Sequence, residues 1–205
     1  MKTTHIIGID EVGRGPLAGP VTLCATCVAT DFDLSPSGPF GGIKDSKKLS
    51  EKKREEWLVK IGELREKGFI NYALISIEAD EIDKIGIAVA IKKAVAACLE
   101  ALIIGAKISP DTVKVFLDGS LSAPEKFIIQ ETIIKGDEKV PIISAASIVA
   151  KVSRDIHMNK MAEKYPGYGL EKHKGYGTAE HIHAIRKNGP SAIHRRSFLK
   201  NILTS

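Results

Sequence analysis

Asp10 and Glu11 stand side by side at the end of the apolar run HIIGI, and Asp118 ends a second run, VKVFL, with Gly119 directly after it. Sites in α/β sheets collect at the carboxyl ends of strands, which makes these three acids candidates for catalysis or metal binding. Two carboxylates at 4 Å repel by ~4 kcal/mol at an effective dielectric of 20, so a cation must offset the charge or one acid must keep its proton. With oxygen donors alone and no Cys or His close by, the donor set points to Mg²⁺ or Mn²⁺ rather than zinc. Two such ions can clamp the attacking water and the leaving oxygen of a phosphodiester. The competing reading is that each strand-end acid only caps or pairs.

On a straight strand Glu11 faces away from Asp10, so the two share a site only if the backbone bends. Gly13, Gly15 and Gly19 follow at once and make a bend cheap. GRGPLAG lacks the Lys-Ser/Thr ending of a P-loop, and Pro16 has no amide hydrogen to offer a phosphate. Close backbone approach to a sugar fits the loop better than a nucleotide cradle.

The elements that must position these residues follow from periodicity. Strands are predicted over 5–10 and 20–30, as a hairpin around the glycine loop, then over FINYALISI and VKVFLDG. Ser50 is a plausible N-cap for a helix carrying Trp57, Leu58, Ile61 and Leu64 at helical spacing. From Ile87 to Ile104 a helical stripe gathers Ile91, Ala94, Val95, Cys98, Leu99 and Leu102. A long helix capped by Ser144 is expected to run to about Lys164 with Ile148, Val149, Val152, Ile156 and Met161 inward, and two short helices from Thr178 and Ser191 finish the chain. Strands alternating with helices define an α/β sheet between helical layers.

The chain has 205 residues, 43% hydrophobic and 27% charged, the composition of one ordinary globular domain. No stretch approaches the ~18 apolar residues of a membrane span, and an acid arrives too early in MKTTHIIGID for a secretory signal, so a cytoplasmic protein is expected. Three cysteines suit a reducing compartment. Cys24 and Cys27, three apart on a predicted strand, face opposite sides and cannot share a metal. Residues 165–205 carry Lys172, Lys174, Arg186, Lys187, Arg195, Arg196 and Lys200 against Glu171 and Glu180, an excess that equals the +5 of the whole chain. Such a segment either meets a polyanion or forms a solvated helix face. Asp155 lies one helical turn after Lys151, a spacing that favours an ion pair over metal binding, and the spacing of His173, His181 and His183 gives none of them a ligand role.

The block IDEVGRGPLAGPV at 9–21 resembles the signature of type 2 ribonucleases H, the bacterial ribonuclease HII branch. KDSKKLS at 44–50, FLDGS at 116–120, KGDEKVPIISAASIVAKVSRD at 135–155, HKGYGTAEH at 173–181 and HRRSF at 194–198 extend the resemblance over nearly the whole chain in the family's order. GRGPLAGP separates it from the type 3 relatives. The family usually places a proline soon after the SF of the last block, where this chain has Leu199-Lys200.

The resemblance implies a ribonuclease H-like mixed five-stranded sheet flanked by helices, one domain over 1–205 with a basic helical C-terminal part from about 165. It implies a four-carboxylate catalytic and metal-binding site of Asp10, Glu11, Asp118 and Asp137, working with Mg²⁺ or Mn²⁺, two ions during catalysis. Gly13, Arg14 and Gly15 are implied to read the ribose hydroxyl at an RNA-to-DNA junction, Tyr176 to pack on the following deoxyribose, and Lys47, Ser147 and Lys151 to hold backbone phosphates. The implied activity is endonucleolytic hydrolysis of the RNA strand of RNA/DNA hybrids and of single ribonucleotides embedded in duplex DNA, leaving 5′-phosphate and 3′-hydroxyl ends, by a monomer with no membrane partner. The readings from other classes are a non-enzymatic hybrid-binding module and an actin-like phosphotransferase, the second of which needs two such domains.

Overall fold

The structure, a computed structural model, describes residues 2–43 and 49–203. Its centre is a mixed five-stranded sheet in the order β3-β2-β1-β4-β5. β1 (His5–Val12), β2 (Val21–Ala29) and β3 (Ile70–Ile77) are antiparallel neighbours, while β4 (Val113–Asp118) and β5 (Ile129–Ile133) run parallel to β1 on its other side. The sheet is the one the resemblance implies. The apolar runs account for β1 to β4; β5, IQETI, is an edge strand with three exposed central residues and carries no alternation that a sequence reading could use.

Helices cover both faces. α1 (Glu51–Glu66) starts at Ser50, whose Oγ accepts the Lys53 N–H at 3.3 Å. After α2 (Ala79–Ile85), α3 (Ile87–Ala106) lays its predicted stripe on one face of the sheet. After α4 (Gly136–Lys139), α5 (Pro141–Lys164) packs with α1 on the other face. Cys24 and Cys27 lie in the cores on opposite faces, as the strand period requires, and Cys98 is buried on the sheet-facing side of α3. The chain ends in α6 (Leu170–His173), α7 (Ala179–Asn188) and α8 (Lys200–Leu203), packed around a smaller core that includes Leu17, Met158, Tyr168 and Leu199. Among the described residues no helix is long and apolar enough to cross a membrane.

Three local expectations are corrected. α5 begins at Pro141, whose missing N–H suits a first helical position, so Ser144 lies inside the helix and its hydroxyl donates to the Asp137 carbonyl at 2.6 Å. Ile156 faces solvent, and Met158 takes the inward place. Ser191 starts no helix: its N–H and hydroxyl both meet His194 Nδ1, and helical backbone resumes only at Arg196.

Gly8 fixes how α5 sits. A Cβ there would lie 2.5 Å from the backbone carbon of Ile142, so only glycine lets the start of the helix rest on β1. Thr26 of β2 adds a hydroxyl bond to the Ile142 carbonyl at 2.7 Å. The consequence is that the first turns of α5, and α4 just before it, stand over the carboxyl end of β1.

Candidate active site

β1 and β4 are paired in register only as far as Ile9 and Leu117. The next residues are Asp10 and Asp118, so the two strands end their ladder on a pair of acids and part beyond it. β1 itself continues beside β2, with Asp10 opposite Cys24, Glu11 opposite Leu23 and Val12 opposite Thr22. The bend expected to bring the two acids together is therefore not between them but after them, at Gly13, where φ is +85°, and Glu11 acts on Asp10 through its backbone N–H and its charge rather than through a turn of the strand.

Asp10 is buried. Its Oδ1 accepts the Glu11 N–H at 2.7 Å, and the Ser147 hydroxyl of α5 also bonds to its carboxyl. Loss of solvent, with the charges of Asp118 and Glu11 adding to it, pushes the Asp10 carboxyl up to about 8 against the pull of Ser147. At neutral pH this group keeps its proton until a cation offsets its neighbours. Asp118 Oδ1 accepts the Gly136 N–H at 2.6 Å, which ties the end of β4 to α4. Asp137, the next residue, is 1% exposed. Glu11 Oε1 lies 3.9 Å from Arg14 Nη1, and the same Arg14 nitrogen donates to Ser120 Oγ at 3.1 Å, so the glycine loop reaches across the gap between the strands.

The carboxylates supply the hard oxygen donors that Mg²⁺ or Mn²⁺ takes, and the raised Asp10 marks a place where positive charge is wanted. Among the described residues, no three Asp, Glu, His or Cys side chains stand close enough to chelate an ion as they are placed. Asp10 and Asp118 are each turned to a backbone N–H instead.

Other expected residues fall as follows. Gly13, Arg14 and Gly15 form the loop beside the acids. Ser147 lies beneath Asp10, buried, rather than on an open phosphate-facing surface. Lys151 is paired with Asp155 at 2.7 Å, the ion pair their spacing suggests. Tyr176 is 43% exposed on the loop after α6, and that loop is joined to the glycine loop by the Gly175 carbonyl, which accepts the Leu17 N–H at 2.8 Å. Lys47 lies outside the described residues. Arg195, counted with the basic segment, is fully buried, so one of its seven cations does not face a partner. Ser120 and Arg154 have no signal of their own in the sequence, and Arg195 reads there only as one of the basic segment's charges, although all three lie inside the quoted blocks.

The fold and its strand-end acids define a ribonuclease H-like protein. The model of the family described as Ribonuclease HII matches residues 7–201. Ribonuclease HII of Shouchella clausii is 45% identical over 194 residues, covering 94% of this chain and 68% of that protein. Ribonuclease HII of Caldicellulosiruptor saccharolyticus is 44% identical over 198 residues, covering 97% and 88%. The crystal structure of ribonuclease H2 from Pyrococcus horikoshii superposes with a TM-score of 0.72 at 25% identity, covering 98% of this chain and 97% of that one. The chain belongs to the ribonuclease HII family, and is with it a hydrolase of the ribonuclease class.

Proposed function

We propose that the protein is an endonuclease that cuts the RNA strand of RNA/DNA hybrids and nicks duplex DNA at single embedded ribonucleotides. The observation that carries this reading is the parallel pairing of β1 with β4, which ends at Ile9 and Leu117 and leaves Asp10 and Asp118 as neighbours where that ladder stops. Glu11 adds its charge from the same strand, and Asp137 stands one residue beyond the N–H that holds Asp118.

In this reading Asp10, Glu11, Asp118 and Asp137 hold the divalent cation, Mg²⁺ or Mn²⁺, as a pair of ions during turnover. When bound, the ions lower the pKa of the attacking water and stabilise the departing 3′-oxygen, leaving 5′-phosphate and 3′-hydroxyl ends. The chain itself supplies the rest. Gly13, Arg14 and Gly15 bring backbone close to the sugar, whose 2′-hydroxyl both donates and accepts and so distinguishes RNA from DNA. Tyr176 offers a half-exposed ring beside that loop for the following deoxyribose. Residues 165–205, a basic part of the same domain, close over the duplex and meet its phosphates, with Lys47 and Lys151 as further phosphate contacts. The protein acts as a monomer in the cytoplasm.

The test is incubation with a DNA duplex containing one ribonucleotide, with and without Mg²⁺ or Mn²⁺, followed by mapping of the nick. A metal-dependent nick at the ribonucleotide, with 5′-phosphate and 3′-hydroxyl ends, is expected. Cleavage equal in a chelator, or no cleavage of either this duplex or an RNA/DNA hybrid, would refute the reading.

A further inference from the structure

Arg154 of α5 and Arg195, just before the turn at Arg196–Phe198, are the two largest fully buried side chains among the described residues. Neither has an ion-pair partner among the described residues, and every hydrogen bond they make goes to a backbone carbonyl. Arg154 donates from Nε to Pro20 at 2.9 Å, from Nη1 to Lys174 at 3.0 Å and from Nη2 to Ala18 at 3.1 Å. Arg195 donates from Nε to Gly19 at 2.9 Å, from Nη1 to Arg14 at 3.0 Å and from Nη2 to Gly13 at 2.6 Å. Burial draws both guanidiniums below their usual range, Arg195 to about 10 with the Arg154 charge contributing, so Arg195 still carries its charge at neutral pH; an arginine side chain is in any case not deprotonated in a protein.

Two buried cations side by side are a costly way to fill space, and their reach shows what they accomplish. Five of the six carbonyls belong to the glycine loop, and the sixth belongs to the segment that carries Tyr176. Among the described residues no peptide bond is cis, and in a trans peptide the N–H points opposite the preceding C=O. With the Gly13 and Arg14 carbonyls drawn to Arg195, the Arg14 and Gly15 N–H groups point the other way. Among the described residues neither N–H has an acceptor. A Cβ on Gly15 would meet nothing within 4 Å, so that side of the loop is open. Two adjacent amides aimed at one open space make a receptor for an electron-rich oxygen.

We propose that Arg154 and Arg195 are positioning residues, a buried guanidinium pair that pulls the glycine-loop carbonyls inward and thereby aims the Arg14 and Gly15 amides at a ribose oxygen of the substrate. The identity of that oxygen rests on the function proposed above, whereas the clamp itself does not. Lysine cannot substitute, because one ammonium lacks the planar fork that spans three carbonyls.

The first measurement uses the unaltered protein. NMR should find the Arg154 and Arg195 Nε–H protons slow to exchange and coupled through their hydrogen bonds to the Pro20 and Gly19 carbonyl carbons. Protons that exchange as fast as those of exposed arginines overturn the clamp. In Arg195→Lys and, separately, Arg154→Lys, amides of residues 17–19 should exchange at least about tenfold faster, the loss of one or two charged hydrogen bonds, while β1 and β4 keep their protection. The same variants, without divalent ion, should lose the preference for a ribonucleotide-containing duplex over an all-DNA duplex while binding the latter as before. Unchanged exchange at 17–19 overturns the proposal, and so does faster exchange with the preference intact. If the unaltered protein has no such preference, the substrate reading fails, and the exchange data still decide the clamp.

Discussion

The Nε2 atoms of His181 and His194 lie 3.1 Å apart, buried behind the loop that carries Tyr176. His181 Nδ1 is 2.9 Å from the Tyr176 carbonyl, which can only accept, so the proton of neutral His181 belongs on Nδ1. Its Nε2 is then an acceptor, and His194 must donate from Nε2. His194 Nδ1 in turn accepts the Ser191 N–H at 3.0 Å and its hydroxyl at 2.8 Å. Each ring is satisfied in one neutral tautomer, and a second proton on His194 would set N–H against N–H.

Stability should therefore depend on pH through His194. Burial, with the Arg196 charge adding to it, lowers its pKa from 6.5 to about 4. Between those values the unfolded chain binds a proton that the native ring refuses, so this contribution is complete above pH 6.5 and is lost as pH falls toward 4. Asp10, raised to about 8, has the opposite slope. The measurement is thus a difference: urea midpoints of the parent minus those of His194→Asn, from pH 7 to 5. The gap should shrink on acidification, and a gap independent of pH contradicts the assignment.

Asp118→Asn should separate chemistry from folding. An amide oxygen can still accept the Gly136 N–H, and the variant removes a charge that acts on Asp10. Stability without divalent ion should stay within about 1 kcal/mol of the parent or exceed it, as is common when a strained site is relaxed. Cleavage should fall more than ~100-fold, and the rise in melting temperature on adding Mg²⁺ should shrink. Parental cleavage rates would remove Asp118 from the site.

Gly13 and Gly15 should respond oppositely to alanine. At Gly13, φ is +85° and a Cβ would come within 2.3 Å of Arg154 Nε, inside the buried wall. Gly13→Ala should cost about 1–3 kcal/mol in urea unfolding. Gly15 has no such neighbour, so Gly15→Ala should change stability by less than about 0.5 kcal/mol yet weaken binding of a ribonucleotide-containing duplex. Equal stability losses at both positions would contradict the asymmetry.

What could be read in advance followed physical periodicity. The run ending in Asp118 announced the end of β4, the run ending in Asp10 announced β1 although that strand goes on to Val12, and the stripe from Ile91 to Leu102 announced the face α3 buries. β5 offered no alternation because an edge strand with exposed residues needs none. Asp137 sits on a four-residue helix entered through Lys135 at φ 55°, too short for any period, and only the resemblance pointed to it. Arg195 was hidden by its own chemistry: an arginine counts as surface charge in any composition, and its burial depends on carbonyls up to 182 residues away in sequence.

Tyr176 is the last residue whose role can be isolated. Its N–H donates to the His173 carbonyl at 2.9 Å, and its own carbonyl receives the Thr178 N–H at 2.9 Å and His181 Nδ1, so the backbone is fastened while the ring stays half-exposed. Removing the ring should leave the fastening intact. Tyr176→Ala is expected to unfold within about 0.5 kcal/mol of the parent, the range for surface substitutions. It should cut single embedded ribonucleotides about tenfold or more slowly, because the apolar area that a ring and a sugar hide from water, at ~25 cal/mol per Å², is worth on the order of 1–2 kcal/mol. Tyr176→Phe, which keeps the ring, should restore most of that rate, whereas a hydroxyl-dependent role would leave both variants equally slow. Steady-state cleavage of the ribonucleotide-containing duplex and of a continuous RNA/DNA hybrid, measured side by side, checks the assignment. A ring that reads the deoxyribose at the junction matters more for the first substrate, and an equal loss on both would move Tyr176 from junction reading to general duplex binding.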